Sequence, residues 1–127
     1  MTSGSRLKIL CIDDDQGQLL LTSQLLQKAG YKVITATNAS QALEALDFEP
    51  IHLVISDQLL EGMSGAEIAR QIKKLYPRTL VALFSGMVEP PEGSEAYTDL
   101  FIQKGAEPRY LLEQVALLLS GKAFRAS

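Results

Sequence analysis

Short, nearly unbroken apolar runs alternate along the chain with longer stretches in which apolar residues recur every three or four positions. This alternation predicts strands separated by amphipathic helices. The runs are LKILCI (7–12), YKVITA (31–36), IHLVIS (51–56), TLVALF (79–84) and DLFIQ (99–103). Three of them are apolar at nearly every position, as strands buried on both faces of a parallel sheet require. Between the runs, Leu19, Leu21, Leu25 and Leu26 predict one helical face, ended by Gly30. SQALEAL predicts a second, short helix with Asn38 or Ser40 as cap, closed at 48–50. SGAEIARQIKKLYP predicts a third, with Ser64 as N-cap, Glu67 at the capping-box spacing, Ile68, Ile72 and Leu75 on one face, and Pro77 closing it. Pro108 suits the first turn of a last helix marked by Leu111, Val115, Leu118 and Leu119. The segment 86–98, GMVEPPEGSEAYT, is rich in breakers and leaves room only for a short or irregular fourth helix near 92–97.

Five strands with intervening helices predict an α/β fold: a doubly wound five-stranded parallel sheet with helices on both faces. At 127 residues and 46% hydrophobic composition, the chain has the size of one domain, expected over residues 6–121, with 1–5 and 122–127 as terminal tails. A formal net charge of -3 gives no general attraction to nucleic acid or anionic lipid. The opening MTSGSR lacks the apolar core of a signal peptide, and no apolar stretch reaches membrane-span length, so a cytoplasmic location is expected. Cys11 is the single cysteine and reads as a small buried hydrophobe.

In a parallel sheet, the residues just past the strands share one edge. Here they are Asp13, Asp14 and Asp15 after the first strand, Asp57 after the third, Ser85 after the fourth and Lys104 after the fifth. Crowded carboxylates repel one another unless a cation, a hydrogen-bonding loop or water compensates them. Oxygen-only ligands of high charge suit a hard cation such as Mg²⁺ at Asp13 and Asp14, with Asp15 capping the first helix.

ILCIDDD, LVISDQLLEGMSG, ALFSG and FIQKG, in this order and at this spacing, resemble the response-regulator receiver domain, the phospho-acceptor of two-component signalling. The resemblance covers about residues 6–121 and implies a flavodoxin-like strand order, 2-1-3-4-5. It further implies that a histidine kinase phosphohistidine, or a phosphotransfer protein, donates a phosphoryl group to Asp57. Mg²⁺ would be held by Asp13, Asp14, Asp57 and the backbone carbonyl of Leu59. Lys104 and Ser85 would meet phosphoryl oxygens, and Ser85 and Phe101 would switch the surface near the fourth and fifth strands. Such a domain catalyses only its own phosphorylation and dephosphorylation. Its output would pass to a downstream protein or a fused output domain, with no nucleic-acid or membrane contact of its own; the resemblance leaves the oligomeric state open.

The sequence departs from the family's pattern at several positions. Gly105 follows Lys104 where proline is usual, so a trans bond or a looser loop is expected. Glu61 stands at another usual proline, in solvent or leaning toward the metal. Leu59 and Met87 hold positions that tune phosphoryl loss and cannot orient a water, so a long-lived phosphoryl state is expected. Asp13 to Asp15 also form an Asp-x-Asp like the nucleophile motif of haloacid-dehalogenase-like phosphatases, but Gly17 stands where that motif needs a hydroxyl. An unphosphorylated scaffold is the alternative function. Arg70, Lys73, Lys74 and Arg78 read as a solvated basic helix end or a docking patch, and His52, the single histidine, as a packing or hydrogen-bonding residue.

Overall fold

The strands form where the apolar runs stand: β1 (Lys8–Ile12), β2 (Lys32–Ala36), β3 (Leu53–Ser56), β4 (Leu80–Ser85) and β5 (Leu100–Gln103). They belong to a computed structural model that describes residues 6–105 and 107–125, with side chains up to residue 120. All neighbours pair in parallel in the order β2-β1-β3-β4-β5, the flavodoxin-like arrangement. Every residue of the central β3 is buried, which is why its sequence is apolar without alternation.

Among the described residues four helices cover the sheet: α1 (Gln16–Lys28), α2 (Ala39–Phe48), α3 (Gly65–Leu75) and α4 (Pro108–Arg125). Successive strand residues point to opposite faces and so feed two separate cores. Ile9, Cys11 and Ile55 pack with Leu26 of α1 and Val115 of α4. Leu10, Ile12 and Val54 pack with Leu46 of α2 and Ile72 of α3 on the other side. Helix starts follow their cap chemistry. The carboxylate of Asp15 accepts from Gln18 N–H at 3.1 Å, Asn38 rather than Ser40 accepts from Gln41 N–H at 2.9 Å, and Ser64 and Glu67 close a capping box. No described helix is long and apolar enough to cross a membrane.

Two expected core leucines lie outside. Leu21 and Leu75 are each 60% exposed. In α1 the buried stripe is Leu19, Thr22, Ser23 and Leu26, so two small polar residues hold core positions that the leucine spacing obscures. Their hydroxyls are satisfied locally: Ser23 donates to the Leu20 carbonyl and Thr22 accepts from Gln18. Leu75 is the last residue of α3, and the chain leaves the helix at Tyr76. Between β4 and β5 only a 3₁₀ turn forms, Ser94–Ala96, entered through Gly93 at φ +81°.

Part of the supposed basic patch is engaged. Lys73 pairs with Asp99 at 2.7 Å and donates to the Thr79 carbonyl at 2.8 Å, while Arg70 lies 5.7 Å from the Tyr97 ring centre. These contacts bind α3 to the β4–β5 side of the domain. His52 accepts at Nδ1 from Lys8 N–H at 3.0 Å and so extends the β1–β3 ladder.

Cys11 is buried within β1, and burial, with the nearby Asp13 charge, pushes its thiol pKa up to about 12. Its thiolate is therefore scarce near neutral pH. Iodoacetamide should leave Cys11 intact in the native protein and label it fully after denaturation; native labelling at the rate of a free cysteine would contradict this burial.

Candidate functional site

Asp13, Asp14, Asp57 and Lys104 sit one or two places past the end of a strand, whereas Ser85, expected just after the fourth strand, is the last residue of β4; several are held by one further ladder bond. Asp13 N–H donates to the Ala36 carbonyl at 3.1 Å, Asp57 N–H to Ile12 at 3.0 Å and Lys104 N–H to Ser85 at 2.7 Å. The strands thus deliver these side chains to one edge from rigid backbone. Carboxylate oxygens of Asp13, Asp14 and Asp57 lie within 4.8 Å of one another. Asp13 is buried, Asp57 half-buried and Asp14 exposed. Lys104 Nζ stands 3.3 Å from Asp13 and 3.4 Å from Asp57, with the Phe84 ring centre 5.4 Å away. One ammonium therefore faces two of three like charges.

Backbone donors meet two further oxygens: Asp15 N–H donates to Asp13 at 3.0 Å and Glu61 N–H to Asp14 at 3.1 Å. Asp57 is raised above the usual carboxylate range, chiefly by burial; Lys104 opposes this, the Asp13 charge adds to it, and the Leu59 N–H opposes it. An acid whose folded pKa exceeds its unfolded one holds the extra proton when folded, so it costs stability once pH rises through the folded value. Below the ordinary carboxylate value that cost is absent. In divalent-free buffer near neutral pH, Asp57→Asn should therefore raise Tm by a few degrees, and the gain should vanish in acid. An equal or lower Tm at neutral pH would mean that the lost Lys104 pair outweighs the relief of burial.

Ser85 ends β4 fully buried, and its hydroxyl oxygen accepts from Met87 N–H at 3.2 Å. Phe101, half-buried on the edge strand β5, pairs in register with Leu83 and belongs to neither core. Gly105 follows Lys104 through a trans bond at φ +97°, in the left-handed region, and Lys104 still reaches both aspartates. The side chains of Glu61, Leu59 and Met87 are exposed. Three neighbours escaped the sequence reading: Phe84 beside Lys104, and Gln58 and Gly65, which join the segment after Asp57 to α3. Only the small residue at 65, at the start of a capped helix, hinted at close backbone approach.

The donor set fits a hard divalent cation. It is all oxygen, highly anionic, open to water at Asp14 and half-closed at Asp57, so a cation could keep part of its hydration shell. Asp13, Asp14 and Asp57 are the residues that could hold it.

A family model described as the response regulator receiver domain matches residues 9–116. Among curated proteins, the alkaline phosphatase synthesis transcriptional regulatory protein PhoP of Bacillus subtilis is 27% identical over 115 residues, 88% of this chain and 48% of its own length. Transcriptional regulatory protein GlrR of Escherichia coli is 33% identical over 88 residues, 69% of this chain and 20% of its own length. The chain thus spans about half of the first and a fifth of the second. Among solved structures, response regulator TrrA of Thermotoga maritima in complex with Mg(2+)-BeF matches with TM-score 0.83 at 29% identity, over 88% of this chain and 98% of that one. A CheY-like receiver domain protein of Methanospirillum hungatei matches with TM-score 0.86 at 29% identity, over 95% of this chain and 99% of that one. With the acidic edge of its parallel sheet in place, this chain belongs to the response regulator receiver domain family of two-component signalling.

Proposed function

We propose that this domain accepts a phosphoryl group on Asp57 from the phosphohistidine of a histidine kinase or phosphotransfer protein, in a Mg²⁺-dependent reaction. The observation that carries this reading is Lys104 Nζ facing Asp13 and Asp57 at 3.3 and 3.4 Å, within a cluster of three carboxylates. An Asp57 oxygen attacks phosphorus, the P–N bond breaks, and its electron pair leaves on the donor imidazole. Asp13, Asp14, Asp57 and the Leu59 carbonyl would hold Mg²⁺, which when bound would supply charge neutralisation for the phosphoryl oxygens. Lys104 moves from the bare carboxylate to a phosphoryl oxygen. The Ser85 hydroxyl, whose oxygen already accepts from Met87, donates its own proton to another.

Withdrawal of Ser85 toward the phosphoryl group opens space on the β4–β5 side, and the half-buried Phe101 turns into it. The changed surface would then serve a downstream protein or a fused output domain. The domain acts on itself alone. With Leu59 and Met87 unable to orient water, the acyl phosphate is long-lived; Leu59→Asn should speed its decay, and an unchanged decay rate would contradict this. The scaffold alternative rests on Gly105 and the altered loop spoiling the site's geometry, and the Lys104–Asp57 contact at 3.4 Å favours the phosphorylated reading instead.

The test is intact-mass spectrometry after incubation with acetyl phosphate and Mg²⁺, beside Asp57→Asn and chelated samples. A single phosphoryl adduct confined to the metal-replete wild type supports the proposal. No adduct under any condition would leave the scaffold reading.

A further inference from the structure

We propose that Gln58 is a positioning residue for phosphoryl transfer, holding the Asp57 carboxylate in line through two hydrogen bonds to the start of α3; the inference rests on Asp57 being the acceptor. The first turn of a helix has backbone N–H groups without partners inside the helix, and these are normally met by the residue just ahead of it. In α3 Ser64 meets that of Glu67 at 3.1 Å, but the two before it are taken by the residue that follows Asp57. The Gln58 carbonyl accepts from Gly65 N–H at 2.9 Å, and Gln58 Oε1 accepts from Ala66 N–H at 2.8 Å.

These bonds close the neck of the loop between β3 and α3. On the strand side, Asp57 N–H is fixed to the Ile12 carbonyl at 3.0 Å, and the Asp57 carbonyl accepts from the Ser56 hydroxyl at 2.9 Å. On the helix side, Gly65 lies so near that a Cβ there would stand 2.2 Å from the Asp57 carbonyl oxygen. The peptide joining Asp57 to Gln58 is thus gripped from both directions. Where Gln58 is held therefore sets the direction of the Asp57 peptide, from which the carboxylate projects. A side chain that never touches the phosphoryl group thereby orients the oxygen that attacks it. In-line attack is steep in geometry, with a misplacement of about 1 Å costing on the order of a hundredfold.

Gln58→Met keeps length and removes the acceptor; Gln58→Glu keeps an acceptor. Ser64→Ala removes the other cap of the same helix end without touching Gln58. The experiment measures the rate of adduct formation on Asp57 with acetyl phosphate at saturating Mg²⁺, together with Tm, for all four proteins. Gln58→Met is expected to slow the reaction about tenfold and Gln58→Glu to restore it to within about threefold. Ser64→Ala is expected to lower Tm with the rate unchanged. A wild-type rate in folded Gln58→Met, or slowing in Ser64→Ala in proportion to its lost stability, would overturn the inference and leave Asp57 as acceptor. A wild type that forms no adduct would overturn that reading and this inference with it.

Discussion

Gly65→Ala is expected to lose about 2–3 kcal/mol of stability and most of its response to divalent cations. Alanine is the better helix former, and residue 65 opens α3, so local propensity alone predicts a gain. The close approach reverses the sign. A Cβ at 65 would stand 2.2 Å from the Asp57 carbonyl oxygen and 2.9 Å from both the Asp57 carbonyl carbon and the Gln58 Cα. All three are backbone atoms, so no side-chain rotation relieves the clash. Either α3 retreats and gives up both Gln58 bonds, or the Asp57 peptide shifts and carries its carboxylate out of the acidic cluster. Thermal denaturation with and without Mg²⁺ checks this, beside Gly86→Ala, whose Cβ would meet nothing within 4 Å. A Tm for Gly65→Ala as near wild type as that of Gly86→Ala would disprove the contact.

Much of this was legible in the sequence because the sheet is parallel. Parallel strands buried on two faces write themselves as unbroken apolar runs, and the polar residues that end them fall on one edge without further information. Asp13, Asp57 and Lys104 could be placed together by that reasoning before any distance was known. The strand order could not, since apolar runs do not name their neighbours; it came from the resemblance.

What stayed hidden depended on small polar residues standing where apolar ones were sought. Thr22 and Ser23 complete the buried stripe of α1 between Leu19 and Leu26, so the leucine spacing takes in Leu21, which is solvated. Gln58 reads as a loop residue until the start of α3 is seen to fold back on it. Lys73 looks like a helix-end charge until β5 brings Asp99 to it at 2.7 Å. Hydrogen bonds within one turn admit Thr22 and Ser23 to the core, bonds to the start of α3 fix Gln58, and an ion pair across the fold engages Lys73; hydrophobic periodicity carries no trace of any of them.

Lys104→Met should make the fold depend on divalent cations. In their absence the ammonium is what offsets Asp13 and Asp57, at 3.3 and 3.4 Å, and its side chain is 22% exposed, between a solvated and a buried ion pair. Its removal should therefore cost about 1–2 kcal/mol in chelator, above the usual worth of a surface pair and below that of a buried one. The same removal deletes a competitor for the carboxylates, so a cation meets more negative charge and binds more tightly. Stabilisation by a ligand grows as its concentration rises above Kd, and Mg²⁺ should then raise the Tm of Lys104→Met more steeply than that of wild type. The two melting curves converge as Mg²⁺ is titrated in, while adduct formation on Asp57 stays slow in the variant because no ammonium meets the phosphoryl oxygens. Equal Mg²⁺-induced shifts in the two proteins would mean that Lys104 and the cation do not share these carboxylates. Convergence with slow phosphorylation would separate the two duties of this lysine, offsetting the carboxylates in chelator and meeting the incoming group.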